Sequence, residues 1–166
     1  IDRLAGWGVD VTHVARLDIA TGHAIINIDA SAENTIVLYP GANWAMPLEG
    51  VRAALADATA DDSLILQNET AHQAEAAALA RSKGMRVIYS AAPFDADAVR
   101  AVLDHVTILA MNAGEAQQLT EVMGVTLDRL PVPEILVTKG AEGAEWRSLQ
   151  VGEQIMHAAM KVDAVD

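Results

Sequence analysis

Residues 63–120 read SLILQNETAHQAEAAALARSKGMRVIYSAAPFDADAVRAVLDHVTILAMNAGEAQQLT. Three short apolar runs punctuate this stretch: Ser63–Gln67 (SLILQ), residues 85–90 (MRVIYS) and residues 107–111 (TILAM). Runs of this length, rich in Ile, Leu and Val, predict buried strands. Helical patterns separate them. Residues 70–83 open on Thr70, a good cap, carry Gln73 to complete a capping box, and stop at Gly84. Arg81 and Lys83 fall in the last turn, where the helix dipole favours cations. Residues 95–104 predict a second helix and Ala113–Met123 a third. Strands alternating with helices are the sequence form of right-handed βαβ units on a mainly parallel sheet.

The same rhythm extends outward. Glu134–Thr138 (EILVT) predicts another strand, and Ala144–Ser148 its hairpin partner. Residues 155–160 and 162–165 predict two further strands. Towards the N-terminus, residues 48–56 form an amphipathic helical pattern. Residues 21–29 (TGHAIINID) and 33–39 (ENTIVLY) are β-forming runs joined by Ala30-Ser31-Ala32, which predicts a hairpin. Its faces alternate poorly, so both sides are expected to be covered, one of them by another subunit. The chain opens on Ile1-Asp2-Arg3-Leu4, which reads as the tail of a helix, and closes within a strand pattern. It therefore reads as an interior piece of a longer protein. Residues 1–19 are expected to be a helix end and connector, 20–45 the hairpin, and 46–166 an incomplete α/β core.

Composition narrows the function. Eleven Lys and Arg against 23 Asp and Glu leave a net charge of −12 in 166 residues. Nucleic-acid binders and proteins that dock on anionic lipid carry basic faces, so neither partner is expected. Apolar residues make up 52%, enough for a packed core, and no run approaches the ~20 residues needed to cross a bilayer. Cys is absent, which removes disulfides, zinc-thiolate sites and Cys nucleophiles, and a cytoplasmic location is expected.

On parallel sheets ligands bind beyond the carboxyl ends of the strands, so the residues just after each strand matter most. Asn112-Ala113-Gly114-Glu115 sits where a strand gives way to a helix. It reads as a capping box. It also reads as a phosphate site at a helix N-terminus, with Glu115 holding magnesium through water. Thr138-Lys139-Gly140-Ala141-Glu142-Gly143 reads as a glycine-assisted turn, or as a backbone platform that lets a nucleotide approach closely. It is neither a P-loop nor a G-x-G-x-x-G fingerprint. Glu69, after strand SLILQ, is either solvated or an acceptor for ligand hydroxyls. The five His show no metal-ligand spacing, and no Ser lies in a G-x-S-x-G elbow.

Together these stretches resemble the ribokinase (PfkB-type) family of carbohydrate kinases. The resemblance rests on GVDVTHVAR, TGHAIINIDASAENTIVLYPGAN, LILQNE, MNAGE, VTKGAEGA and VDAVD, in that order. It implies a three-layer α/β/α fold with a mainly parallel sheet and a small β lid over the sugar site that often forms the dimer contact. Asn112 and Glu115 then match the N-x-x-E motif linked to magnesium and phosphate. Thr138, Gly140 and Gly143 match V-T-x-G-x-x-G of the ATP site, Glu69 the sugar-binding glutamate, and Asp166 an aspartate that helps bind a monovalent cation such as K⁺. The implied reaction moves the γ-phosphoryl group of Mg·ATP to a primary hydroxyl of a pentose such as D-ribose. Fructose, nucleosides and keto-deoxy sugar acids remain alternatives, as does a non-catalytic module of the same fold that binds a nucleotide or sugar. The family's G-A-G-D motif, which carries the catalytic base, is expected beyond Asp166, so no catalytic residue is assigned here and this chain is expected to lack turnover.

Overall fold

The computed structural model describes residues 1–29 and 34–161. The expected strand at 162–165 and residue Asp166 lie outside them, as do residues 30–33 of the hairpin connector. The chain forms two compact units. The first comprises Ile1–Asp57 with Glu69–His72, and the second Ala58–Asn68 with Gln73–Asp166.

In the first unit, helix α1 (Asp2–Gly6) is short, in keeping with the helical reading of the opening residues. Strands β1 (His23–Ile28) and β2 (Asn34–Tyr39) pair antiparallel, from His23 with Tyr39 to Ile28 with Asn34. Register places Ala24, Ile26, Ile28, Ile36 and Leu38 on one face, because side chains alternate along a strand. Ile26 is 58% and Ile28 72% exposed, so that apolar face is open. Helix α2 (Leu48–Ala54) follows a 3-10 turn at Gly41–Trp44. Asn43 accepts from the Ala71 backbone N–H at 3.0 Å, which ties residues 69–72 into this unit.

The second unit holds β3 (Ser63–Gln67), α3 (Gln73–Ser82), β4 (Arg86–Ser90), α4 (Ala96–Val102), β5 (Ile108–Asn112), α5 (Ala113–Met123), β6 (Glu134–Thr138), β7 (Ala144–Ser148) and β8 (Glu153–His157). The strands stand in chain order, β3-β4-β5-β6-β7-β8. The first four are parallel, and β7 and β8 continue antiparallel. Sequential order has a geometric consequence. Right-handed crossovers that all step the same way place every connecting helix on the same face. Burial follows: Val87, Tyr89, Leu109, Met111, Ile135 and Val137 are buried, while Ile88, Ile108, Ala110 and Leu136 on the other face are half-buried. Ile65, in register with Ile88 on the other face, is 72% exposed. The apolar runs read as buried strands are thus covered on one face by the described residues.

Helix α3 packs through Ala76, Ala77 and Ala80, whose small side chains permit close approach. It begins at Gln73, not at residue 71 as a Thr70 cap would require. His72 has φ +61°, a left-handed conformation that no helix can pass through. The Asn68 side chain accepts from Gln73 Nε2 at 3.2 Å and donates to the Pro93 carbonyl at 2.8 Å, so the polar entry to α3 is built on β3. Helix α4 is capped by Asp95, whose Oδ1 accepts from the N–H groups of Asp97 and Ala98, each at 2.9 Å.

Tyr89 is wholly buried, and its hydroxyl has no hydrogen-bond partner among the described residues. Burial first, then the charge of Asp95, pushes the phenol pKa up to about 12. A buried polar atom without a partner gains nothing from its hydroxyl. Tyr89→Phe is therefore expected to leave stability unchanged or to raise it by up to about 1 kcal/mol in urea denaturation. A loss of more than about 1 kcal/mol would contradict this and would mean that the hydroxyl is satisfied in solution.

Candidate functional site

Strand β5 runs into α5 with no intervening loop, and Asn112 is both the last strand residue and the helix N-cap. Asn112 Oδ1 accepts from the Glu115 N–H at 2.9 Å, and Glu115 Oε2 accepts from the Asn112 N–H at 2.7 Å. The capping box is therefore complete. It uses one oxygen of Asn112 and one of Glu115, leaving Asn112 Nδ2 and Glu115 Oε1 for a ligand. At the other end, Gly124 at φ +67° closes α5 with its N–H on the Thr120 carbonyl at 2.9 Å.

The second stretch lies beside the first. Thr138 ends β6 and is the parallel register partner of Asn112. Both residues are exposed at the carboxyl edge of the sheet. Lys139 then leads into a 3-10 turn at Gly140–Glu142. The turn is closed by the Lys139 N–H on the Gly143 carbonyl at 2.8 Å and the Gly143 N–H on the Gly140 carbonyl at 3.0 Å. Gly143 has φ +96°, and a Cβ there would stand 2.0 Å from the His157 carbonyl oxygen. Backbone from β8 and the residues after it thus presses against the turn, and only glycine fits. Asn112, Glu115, Thr138, Gly140 and Gly143 are thereby gathered at one edge of the second unit. Glu69 is exposed and belongs to the first unit.

Sequence reading missed the charges beneath this edge. Glu145 on β7 is only 2% exposed. Its carboxylate is bonded by Lys139 Nζ through one oxygen, and by Arg147 Nε and Gln154 Nε2 through the other, the last at 2.7 Å. Arg147 Nη1 also reaches Asp128 Oδ1 at 2.9 Å. Hydrogen bonds from Arg147 and Lys139 hold the Glu145 carboxyl below the usual carboxylate range, against the opposing effect of burial. The signal was available: Glu145 and Arg147 are two apart on a predicted strand, so they share a face. Lys139, Glu145 and Arg147 line a cleft of about 550 Å³, with Ala113, Ala116 and Val137 among its apolar walls.

The donor set can be tested against magnesium. The described residues contain no cluster of three or more His, Cys, Asp or Glu suited to hold a metal. A single carboxylate oxygen beside a helix N-terminus fits magnesium that keeps its waters and arrives on substrate phosphates. Such an ion would neutralise phosphate charge, and the chain's own groups to meet a phosphate there would be the first N–H groups of α5. No described helix is long and apolar enough to cross a membrane.

At the carboxyl ends of its strands this α/β sheet thus presents a capped helix N-terminus beside a glycine turn, the place where sheets of this kind bind ligands. The chain belongs to the pfkB family of carbohydrate kinases, whose pattern it matches over residues 1–166. It is 28% identical over 149 residues to a ribokinase of Haemophilus influenzae, covering 82% of this chain and 48% of that protein. The crystal structure of a ribokinase from Thermotoga maritima superposes with a TM-score of 0.68 at 25% identity, over 92% of this chain and 52% of that one. A nucleoside kinase of Burkholderia thailandensis in complex with inosine superposes with a TM-score of 0.80 over 99% of this chain and 54% of that one; at 21% identity it shows the fold alone. The chain spans about half the length of the relatives it matches.

Proposed function

We propose that this chain carries the nucleotide side, and part of the sugar side, of an ATP-dependent sugar kinase of the ribokinase kind. The reaction is transfer of the γ-phosphoryl group of Mg·ATP to a primary hydroxyl of a pentose such as D-ribose, releasing ADP. The observation that carries this reading is the register pairing of Asn112 with Thr138, which sets the N-x-x-E helix N-terminus beside the Gly140–Gly143 turn. Phosphoryl transfer passes through a loose transition state, so catalysis is mainly positioning and charge stabilisation. Backbone N–H groups at α5 and the turn suit that task. Glu69 is assigned to the sugar hydroxyls and Asp166 to a monovalent cation. No residue of these 166 is assigned as the base that deprotonates the attacking hydroxyl, so the chain alone is expected to show no turnover. Measurable ATP-dependent phosphorylation of ribose by this chain would overturn that expectation.

Calorimetry tests the nucleotide assignment. Mg·ATP is expected to bind the chain, and Asn112→Ala and Glu115→Ala are each expected to weaken binding by about tenfold, a loss of roughly 1.4 kcal/mol. Both substitutions also cost the helix a cap, about 1 kcal/mol of stability. Variants that lose stability while keeping full nucleotide affinity would reduce Asn112 and Glu115 to a cap.

We further propose that the open face of the β1–β2 hairpin joins two copies of the chain. Its apolar side chains, Ile26, Ile28, Ile36 and Leu38 among them, support this reading, since exposed apolar patches mark interaction surfaces. Sedimentation is expected to show a dimer that Ile26→Asp converts to monomer. A wild-type monomer at high concentration would contradict it.

A further inference from the structure

A buried carboxylate with two cations is an expensive way to fill a site that packing alone could fill. Glu145 lies on the helix-covered face of β7, opposite Val137 in register, where an aliphatic side chain would serve the core. Buried ion pairs contribute little net stability relative to hydrophobic replacements, so the geometry they impose is the feature to follow. The partners of Glu145 come from different places in the fold. Lys139 is the first residue after β6 and opens the glycine turn. Gln154 lies on β8, whose backbone ends against Gly143. Arg147 carries the link onward to Asp128, in the 3-10 turn Leu127–Arg129 that follows α5.

These links close a ring. From Asn112 the chain runs through α5 to Asp128, crosses by side chains to Arg147, Glu145 and Lys139, and returns through Thr138 to Asn112. The cleft of about 550 Å³ lies within this ring. The two halves of the candidate nucleotide site are therefore connected by backbone register on one side and by the Glu145 network on the other.

We propose that Glu145 is a positioning residue: through Lys139 it fixes the Gly140–Gly143 turn, and through Arg147 and Asp128 it locks that turn to the helix that Asn112 and Glu115 begin. Its consequence for ligand binding rests on the nucleotide reading above; its mechanical part rests on the contacts alone. In this role Glu145 acts through Lys139 and Arg147. Removing its carboxylate frees Lys139 and leaves the turn held by its own backbone bonds.

Amide hydrogen exchange on the whole chain tests the mechanical part, with Mg·ADP calorimetry as the second arm. Glu145→Leu is expected to speed exchange in residues 139–143 and 126–129 by about tenfold or more, as local opening there no longer has to break the Glu145 contacts. Glu145→Gln, which keeps an acceptor and is the variant to use if the leucine variant does not fold, is expected to fall between. Trp146→Phe, on the opposite face of β7, should leave exchange in those residues unchanged even if it lowers global stability. Mg·ADP affinity is expected to fall by about tenfold in Glu145→Leu, with Glu145→Gln partly restoring it. Turn exchange that stays unchanged in Glu145→Leu, or that rises as much in Trp146→Phe, would overturn the proposal, because the role would then be merely structural. Faster exchange with unchanged affinity would also overturn it as a positioning residue for binding. A wild-type chain that does not bind Mg·ADP would contradict the nucleotide reading instead, and the exchange arm would still decide whether Glu145 holds the turn.

Discussion

Gly143→Ala is expected to destabilise the second unit by about 3 kcal/mol or more in chemical denaturation, the sum of two penalties. The first is conformational. At φ +96° and ψ −138° the backbone occupies a region that L side chains avoid, at about 1–3 kcal/mol. The second is steric. A Cβ would meet the His157 carbonyl oxygen at 2.0 Å, the Ala159 nitrogen at 2.7 Å and the Ala158 carbonyl carbon at 2.8 Å. These are backbone atoms, which cannot rotate aside as a side-chain tip can, and overpacking of this kind costs about 1–3 kcal/mol. Gly140 offers the internal control. Its φ is +58°, yet a Cβ there meets nothing within 4 Å, so Gly140→Ala should cost clearly less than Gly143→Ala. Equal losses at the two positions would contradict the close approach of residues 157–159.

Glu145→Leu is expected to cost about 3 kcal/mol, the lower end for breaking a buried ion pair, because it leaves two cations without their shared carboxylate. The lower end applies because the Lys139 and Arg147 side chains keep 28% and 27% of their exposure and so retain some water. The exposed pairs Arg52–Glu49 and Arg100–Asp97 should by contrast yield about 0–1 kcal/mol. The pH dependence carries a sign. The Glu145 pKa is lowered in the folded state from an ordinary value of 4.5. Between those two values the unfolded chain binds the extra proton, so the ionised carboxylate stabilises the fold fully above the unfolded value. That stability is lost as pH falls through the folded value. Wild type and Glu145→Leu should therefore differ by a constant amount near neutral pH and converge in acid. A gap that widens on acidification would contradict the ion-pair account.

Local rules carried the sequence reading far where the chain obeys one rule at a time. Ser63–Gln67, Ala113–Met123, Glu134–Thr138 and Ala144–Ser148 are found at the boundaries read from hydrophobic runs and caps. Asn112 and Glu115 were legible as a cap because a capping box demands those residue types at that spacing. The α3 start was not, because a left-handed His72 is a tertiary choice that no propensity announces. The last described strand, Glu153–His157, begins two residues before the apolar run read at 155–160. Its placement follows antiparallel pairing of Ser148 with Glu153, which turn geometry sets and hydropathy does not. That the described residues cover the sheet on one face was hidden for a similar reason: continuous apolar runs show that strands are buried, but only strand order shows on which face the helices fall. Glu145 was missed because a charge in a strand reads as solvent-facing until Lys139 and Gln154, its partners on two other segments, are known.

The central claim is that Asn112–Glu115 and Thr138–Gly143 form one phosphate-binding edge. Backbone amide chemical shifts, followed while Mg·ADP is titrated into the chain, test it most directly. The account predicts that the largest shifts fall together in residues 112–116 and 138–143, saturate at one nucleotide concentration, and shrink when magnesium is withheld. Shifts confined to one of these stretches, or centred elsewhere on the sheet, would contradict it.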